Sequence, residues 1–349
     1  MLTHYSPWLY SGESGPGMGR CITVYHWRWH MNKNLKLLSA IIIMFIVMGY
    51  SSTQAEWVPV GIPVAPVLNP LPGEPGITSD GLGGAIITWQ DDRSGNSDIY
   101  AQRIDADGSI HAGWTVDGVL ICSDAASQSE PQIVSDGSGG AIISWHDYRN
   151  GNWDIYAQRV DGDGSIHTGW TAQGEPICTD AASQLYPRLT SDGSGGSIIT
   201  WEDFRNGNRD VYVQRINGDG SIHTGWMVNG EPICTYAESQ EELQIISDGS
   251  GGAIVTWGDR RNGVSTMDIY TQRIDADGSI HAGWTAGGEP VCTDAAAQMY
   301  PRMASDASGG AVITWWDYRN GNYDIYAQRI DADGSIHTGW TADGEPVCT

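Results

Sequence analysis

The chain is poor in lysine, in phenylalanine and in basic side chains altogether. Its 349 residues include 18 basic against 42 acidic side chains and 2 phenylalanines, and its only lysines are Lys33 and Lys36. The formal net charge is -24. Phosphate recognition needs clustered lysine and arginine, so this balance argues against a nucleic-acid partner and against an anionic lipid surface. An acidic surface suits solubility, and it also suits the binding of calcium.

Long apolar runs are scarce too, and the one that exists lies near the start. Lys33 and Lys36 precede a mostly apolar run over 37–50, and small residues follow as far as Ala55. The run is too short to cross a hydrocarbon core of about 30 Å. A basic start, an apolar centre and a small-residue end are typical of a secretory signal peptide. We therefore predict a signal peptide over 31–55 and a misannotated upstream extension over 1–30.

This interpretation sets the predicted location. Cleavage after Ala55 leaves a mature chain with no membrane span, which is secreted, periplasmic or displayed on the cell surface.

Glycine and tryptophan are abundant, and they recur in an internal repeat. Equivalent tryptophans recur every 56 to 58 residues, at Trp57, Trp114, Trp170, Trp226, Trp284 and Trp340. Five units begin at Ser79, Ser135, Ser191, Ser247 and Ser305. Each unit holds four short β-rich runs separated by turns rich in asparagine and glycine, with no helical periodicity. One blade of a propeller per repeat is the expected result.

The predicted fold is all-β: a β-propeller of five blades, each with four antiparallel strands, over residues 77–349. Residues 56–76 form a partial repeat that matches the tail of a unit. A second such tail ends the sequence, so a propeller truncated after residue 349 is the alternative to a ring of five blades.

The pattern WxDxRNGNxDIYAQRIDADGS resembles the blade of TolB-type, WD40-like propellers of exported bacterial proteins. The resemblance covers residues 77–349. In the second unit it is carried by Asp147, Arg149, Gly151, Asn152, Asp154, Ile155 and Tyr156. It implies that the strand ending in Ser-Asp is innermost and that the strand holding a cysteine is outermost. It carries no information about a ligand.

Two sets of repeated residues are interpreted as structural. The aspartate and arginine pair of each unit, such as Asp147 and Arg149, is expected to brace a hairpin through charge-assisted hydrogen bonds. One cysteine per unit recurs, at Cys122, Cys178, Cys234, Cys292 and Cys348. Cysteines on the outer strands of different blades are too far apart for disulfides, so we interpret them as small core residues.

The turns of sequence DxDG allow two interpretations. Clustered carboxylates are what calcium prefers, which makes candidate ligands of Asp105, Asp107, Asp161, Asp163, Asp275, Asp277, Asp331 and Asp333. An EF-hand is excluded, because the twelfth position of each loop holds valine or alanine in place of glutamate. Aspartate and glycine are also ordinary turn residues. We expect no obligatory cofactor and keep calcium as the alternative.

The positions that differ between units are the better candidates for a ligand site. Around the RNGN turns they hold Tyr148, Trp153, Phe204, Arg209, Trp316, Tyr318 and Tyr323. Aromatic faces beside polar groups suit sugars, and they equally suit a protein interface or packing between blades. The predicted partner is therefore a glycan or an envelope or extracellular protein.

Three functions follow from these observations. The first is an exported, non-catalytic module with several similar binding sites, which gains avidity from repetition. The second is a glycan hydrolase, which needs an asymmetric pair of carboxylates. The third is a TolB-like docking platform in the cell envelope. No nucleophile motif, phosphate-binding loop or metal-ligand spacing is present, so the sequence predicts that the chain is not an enzyme. The oligomeric state stays open.

Overall fold

The computed structural model describes residue 64 and residues 75–263 and 266–349. All of them belong to the compact unit Ala55–Thr349. The predicted extension over 1–30 and signal peptide over 31–55 lie outside the described residues, as does most of the partial repeat over 56–76. Within the described ranges, no helix has the length and apolar character needed to cross a bilayer.

Twenty strands form five sheets of four strands each. The first strands of the sheets are β1 (Gly76–Ser79), β5 (Gln128–Ser135), β9 (Gln184–Ser191), β13 (Gln240–Ser247) and β17 (Gln298–Ser305). The second strands are β2 (Ala85–Asp91), β6 (Ala141–Asp147), β10 (Ser197–Asp203), β14 (Ala253–Asp259) and β18 (Ala311–Asp317). The third strands are β3 (Asp98–Ile104), β7 (Asp154–Val160), β11 (Asp210–Ile216), β15 (Asp268–Ile274) and β19 (Asp324–Ile330). The fourth strands are β4 (Val119–Cys122), β8 (Glu175–Cys178), β12 (Glu231–Cys234), β16 (Glu289–Cys292) and β20 (Glu345–Cys348).

Each sheet is a blade of consecutive antiparallel strands, which we number blades 1 to 5 along the chain. The predicted five-bladed all-β propeller, with one repeat per blade, is confirmed. Register is the same in every blade: the last residue of the second strand pairs with the first residue of the third, as Asp147 pairs with Asp154 in blade 2. The polar turn between them is the one that the RNGN pattern predicted.

The core lies between blades. Where blade 1 meets blade 2, Trp114 and Ile121 of blade 1 pack in one cluster with Ile143 and Trp145 of blade 2. Equivalent clusters join blades 2 and 3, blades 3 and 4, and blades 4 and 5. Alternation along each strand sends apolar side chains to both faces, so every inner blade is buried on two sides.

Four of the five first strands carry a β-bulge near their start. In β9 the register with β10 shifts between Thr200 and Glu202, and Tyr186 opposite that point has a positive φ of 54°. Bulges commonly re-aim a side chain. The same conformation occurs at Glu130, Glu242 and Tyr300 in the other three strands.

Candidate functional site

The repeated aspartate and arginine pair forms a brace inside each blade. In blade 2, Arg149 donates from Nε and Nη2 to the carboxylate of Asp147, at 2.9 and 2.6 Å. The indole of Trp145 donates to the same carboxylate, at 2.9 Å. The guanidinium lies 3.9 Å from the ring centroid of Tyr156 and donates to the carbonyl of Gln173. The same ion pair occurs in all five blades, so this set is structural.

The five repeated cysteines are all free thiols. Four of them are buried, and Cys348 is exposed. Burial raises the pKa of the Cys122 thiol to about 12, so it stays protonated at neutral pH. Its Sγ lies 3.3 Å from Nη2 of Arg149 in the next blade. Cys122 therefore packs as a small core side chain, as the sequence predicted.

The DxDG turns use their carboxylates within the turn. In blade 1, Oδ1 of Asp105 lies 2.6 Å from Nδ1 of His111. Asp107 accepts hydrogen bonds from the amide and hydroxyl of Ser109, and these bonds lower its pKa. Asp161, Asp163, Asp275, Asp277, Asp331 and Asp333 repeat this arrangement.

These turns do not gather ligands around a common point. In the part of the chain that the structure describes, no group of three histidine, cysteine, aspartate or glutamate side chains is placed to hold a metal ion. Calcium at the eight aspartates stays a prediction from the sequence.

The variable residues lie at one end of the blades, where second strands end and third strands begin. In blade 2, the rings of Tyr148 and Trp153 lie 5.0 Å apart. His146 lies 4.5 Å from Trp153 and 6.0 Å from Tyr186, which belongs to the bulge of blade 3. Burial lowers the pKa of His146 to about 4, so this imidazole is neutral near pH 7. We call these four rings the blade 2 aromatic group.

A second aromatic group lies at the same end of blade 5. The ring of Tyr323 lies 5.0 Å from Tyr318 and 5.7 Å from Trp316. Trp316 in turn meets Tyr300, from the bulge of β17, at 5.2 Å and nearly edge-on. All four rings are between 44% and 55% exposed. Such exposed aromatic clusters are more often contact surfaces than core.

Charged residues occupy the same positions in blades 3 and 4. Nη1 of Arg209 lies 2.7 Å from Oε2 of Glu241 and 3.2 Å from Oε2 of Glu202. Arg260 lies 2.7 Å from the other oxygen of Glu241. The ring of Phe204 lies 5.7 Å from the Arg209 guanidinium. We call Glu202, Arg209, Glu241 and Arg260 the charged group.

Glu202 is the buried member of the charged group. It is 3% exposed, and burial raises its pKa to about 7. Its Oε1 accepts from the backbone amide of Glu242 at 3.0 Å. Its Oε2 has the ion-pair contact with Arg209 but no well-aligned hydrogen bond. A buried carboxylate with a spare acceptor and a shifted pKa is typical of a functional position.

The bulges link the three groups into one row. Glu202 pairs across the strands with Leu185, the neighbour of Tyr186, which contacts the blade 2 aromatic group. The carboxylate of Glu242 accepts from the backbone amide of Tyr300, which contacts Trp316. The row therefore runs from blade 2 to blade 5 along one end of the propeller.

All seven predicted ligand-site residues lie in this row, though the structure shows no ligand role for them. Sequence reasoning missed the ring partners His146, Tyr186 and Tyr300, and it did not join Glu202 and Glu241 to Arg209. One signal was available. The position before the brace aspartate differs in every blade, as Gln90, His146, Glu202, Gly258 and Trp316.

Neither a protein-family model nor a curated protein matches the sequence. Several solved structures are similar in fold. A protein assigned as TolB from Agrobacterium tumefaciens is 16% identical, with a TM-score of 0.42, over 76% of this chain and 79% of its own. An endo-arabinase from Bacteroides thetaiotaomicron is 14% identical, with a TM-score of 0.42, over 80% of this chain and 98% of its own.

A thermostable family-43 glycoside hydrolase is 10% identical, with a TM-score of 0.39, over 81% of this chain and 96% of its own. Sequence identities this low indicate a similar fold and nothing about function. The five four-stranded sheets confirm the blade architecture that the resemblance to TolB-type propellers implied.

The prediction that the chain is not an enzyme is wrong. Glycoside hydrolases are among the solved structures of similar fold. The prediction rested on missing sequence motifs, but a propeller brings acids together from separate strands. Here Glu202 of β10 and Glu241 of β13 meet at one arginine, Arg209.

Proposed function

We propose that this chain is an exported β-propeller that binds a glycan along the row at the variable end of blades 2 to 5. The observation that carries the proposal is the row itself. In blades that are otherwise near copies, exposed rings and a buried carboxylate replace one another at equivalent positions, and the bulges link them from blade to blade. Binding sites combine apolar faces with a few oriented polar groups in this way.

The chemistry of the row suits sugars. Trp316, Tyr318 and Tyr323 offer ring faces to the C–H faces of a sugar, while the partly exposed Arg209 and Glu241 offer a donor and an acceptor to hydroxyl groups. Two aromatic groups with a charged group between them suit an extended chain better than a single sugar.

A screen of polysaccharides by pull-down and glycan array tests this proposal. We expect at least one reproducible ligand, and Trp316→Ala and Tyr148→Ala each to weaken its binding about fivefold or more. Met227→Ala is the matched control, because Met227 is 51% exposed in a turn before a fourth strand, away from the row.

Absence of any glycan ligand would overturn the proposal and direct attention to an envelope protein. Equal loss in Met227→Ala would show that folding, not contact, is being measured. Running the screen with calcium and again with chelator tests the eight turn aspartates separately, because a ligand lost only in chelator would require the metal.

A second candidate, cleavage of the bound glycan, rests on Glu202. With a pKa of about 7 it is about half protonated at neutral pH, so the protonated form that a general acid needs is present, while Glu241 beside it is ion-paired to two arginines. Retaining glycosidases hold two carboxyl groups about 5–5.5 Å apart. Assaying the bound glycan for released reducing ends decides between binding alone and cleavage.

A further inference from the structure

Blades 3 and 4 meet differently from the other neighbouring blades. At the other three interfaces, the backbone amide after the repeated cysteine donates to a side-chain oxygen in the next blade. These bonds run from Ser123 to Gln173 at 2.6 Å, from Thr179 to Asn229 at 3.1 Å and from Thr293 to Asp343 at 2.9 Å. Where blade 3 meets blade 4, the donor position holds Thr235 and the acceptor position holds Gly287, which has no side chain.

A second departure from the repeat lies beside the first. The residue after the donor is an aspartate at the other three interfaces, and its carboxylate accepts from the backbone amide two residues further on. These aspartates are Asp124, Asp180 and Asp294. In blade 3 the position holds Tyr236. A Cβ on Gly287 would lie 2.7 Å from the Tyr236 ring, so the tyrosine needs the glycine for space.

Backbone conformation does not account for the glycine. Gly287 has a positive φ of 82°, which glycine adopts without strain. The same position takes φ of 75° at Gln173, 66° at Asn229 and 61° at Asp343. The carbonyl of Gly287 also accepts from Arg261 at 2.7 Å, as its counterparts accept from theirs. The backbone is therefore placed as at the other interfaces, and only the side chains differ.

The two departures coincide with a pocket of about 300 Å³ beside the fourth strand of blade 3. Its lining includes Thr235, Tyr236 and Gly287, together with the apolar side chains of Pro232, Ile280 and Ala286. Its volume is within the range of small-molecule sites. The Tyr236 ring is 45% exposed, and the Arg261 guanidinium lies 4.1 Å from its centroid.

The pocket is separate from the row, because the two have no residue in common. Two hydrogen bonds that the other blades keep are given up to form it. A departure of this kind from a repeated structural rule is expected at functional positions.

We propose that this pocket binds an N-acetyl sugar. The carboxamide oxygen of the acetamido group would accept from the amide of Thr235, as the carboxamide oxygens of Gln173 and Asn229 accept from their donors. The acetyl methyl group would lie against Ile280 and Ala286, and a C–H face of the sugar ring against Tyr236.

The charge of the chain favours a carboxamide over a carboxylate in this pocket. Asp343 shows that a carboxylate oxygen can accept the same bond. The chain, however, carries a net charge of -24, which repels anions. An N-acetyl sugar is neutral and brings the oxygen and the apolar methyl group together.

Ligand-observed NMR with the full-length chain tests the proposal. We expect saturation transfer to N-acetylglucosamine or N-acetylgalactosamine, strongest at the acetyl methyl protons. Glucose and galactose lack the acetamido group and should bind at least about tenfold more weakly.

A variant that restores the repeat removes the pocket. Tyr236→Asp with Gly287→Asn introduces the residues that stand at these positions where blade 2 meets blade 3, so we expect the variant to fold. It should bind the N-acetyl sugars at least about tenfold more weakly than the wild type. Trp316→Ala, in the row, is the control and should bind them like the wild type. Circular dichroism confirms that the variants fold.

The reverse change tests whether these positions suffice. Asp180→Tyr, Val228→Ala and Asn229→Gly together copy the pocket to the interface of blades 2 and 3. We expect a second site of similar affinity, and therefore a saturation-transfer signal about twofold larger at equal protein concentration. Misfolding cannot produce such a gain.

Several results would overturn the proposal. They are no transfer to either N-acetyl sugar with the wild type, equal binding of glucose, and unchanged binding by the repeat-restoring variant. An unchanged signal from the copied pocket would also count against these positions as the site. Loss of binding in Trp316→Ala would place the sugar in the row instead. A negative result here leaves the glycan proposal for the row standing, since that proposal is tested by its own variants.

Discussion

Single residues show how one repeat serves two purposes. The pair formed by Asp147 and Arg149 recurs in every blade, and its ion pair holds the hairpin. Glu202 occupies a position that differs in every blade, and it is buried with an acceptor atom to spare. A residue that departs from its repeat is the better guide to function, because the repeat already accounts for the rest.

The ionisation of Glu202 makes a prediction for stability. Burial raises its pKa from the ordinary 4.5 to about 7. Between these values the folded state holds a proton that the unfolded state has lost, so this group makes the free energy of unfolding fall as pH rises from about 5 to 8. We expect Glu202→Gln to lack this contribution. Relative to the wild type, the free energy of unfolding of this variant should rise by about 1–3 kcal/mol between pH 5 and pH 8.

Urea denaturation at pH 5, 6, 7 and 8 measures the effect. His146, whose pKa burial lowers to about 4, contributes the opposite slope in wild type and variant alike, so their difference isolates Glu202. Glu238→Gln, at an exposed carboxylate, is the control and should follow the wild type. If the free energy of unfolding changes with pH in the same way in the wild type and in Glu202→Gln, the raised pKa of Glu202 is contradicted.

At the scale of the element, glycine and the bulges shape each blade. Gly174 precedes β8 with φ of 94°, and a Cβ there would lie 2.6 Å from the buried ring of Trp145. Gly151, in the turn before β7, has nearly the same φ, 90°, but a Cβ there meets nothing within 4 Å. The first glycine is needed for backbone conformation and space, and the second for conformation alone.

This contrast predicts unequal costs for the same substitution. Both Gly174→Ala and Gly151→Ala strain a left-handed backbone, but only Gly174→Ala also crowds a buried tryptophan. We expect Gly174→Ala to lower the free energy of unfolding by about 1–3 kcal/mol more than Gly151→Ala does. Chemical denaturation monitored by tryptophan fluorescence measures both, and equal losses would show that the ring of Trp145 moves aside freely.

The bulges explain why the row was only partly predictable. Tyr186, Glu242 and Tyr300 have positive φ without being glycine, so no residue type marks the bulge in the sequence. Each bulge sets a residue of one blade against a variable residue of the blade before it, as Glu242 is set against Glu202. Contacts of this kind depend on how blades stack, which a repeat pattern does not specify.

At the scale of the whole molecule, export is the prediction that the described residues leave to experiment. Expression in a bacterial host followed by N-terminal sequencing of the protein outside the cytoplasm should give a chain that begins at Glu56. The basic start and small-residue end of 31–55 are what signal peptidase recognition requires. Ala55→Arg should slow the cleavage, while Glu56→Gln should not. A mature protein that retains residues 31–55 would contradict the prediction.

The sequence by itself determined the blade: its period, its four strands, its turns and its repeated brace. These features are local, because each depends on residues within one unit and on alternation or turn chemistry that a linear pattern displays. The tertiary structure decided what the variable residues do together. Tyr148 and Trp316, or Glu202 and Glu241, come from different blades, and only the stacking of sheets brings such side chains into one row.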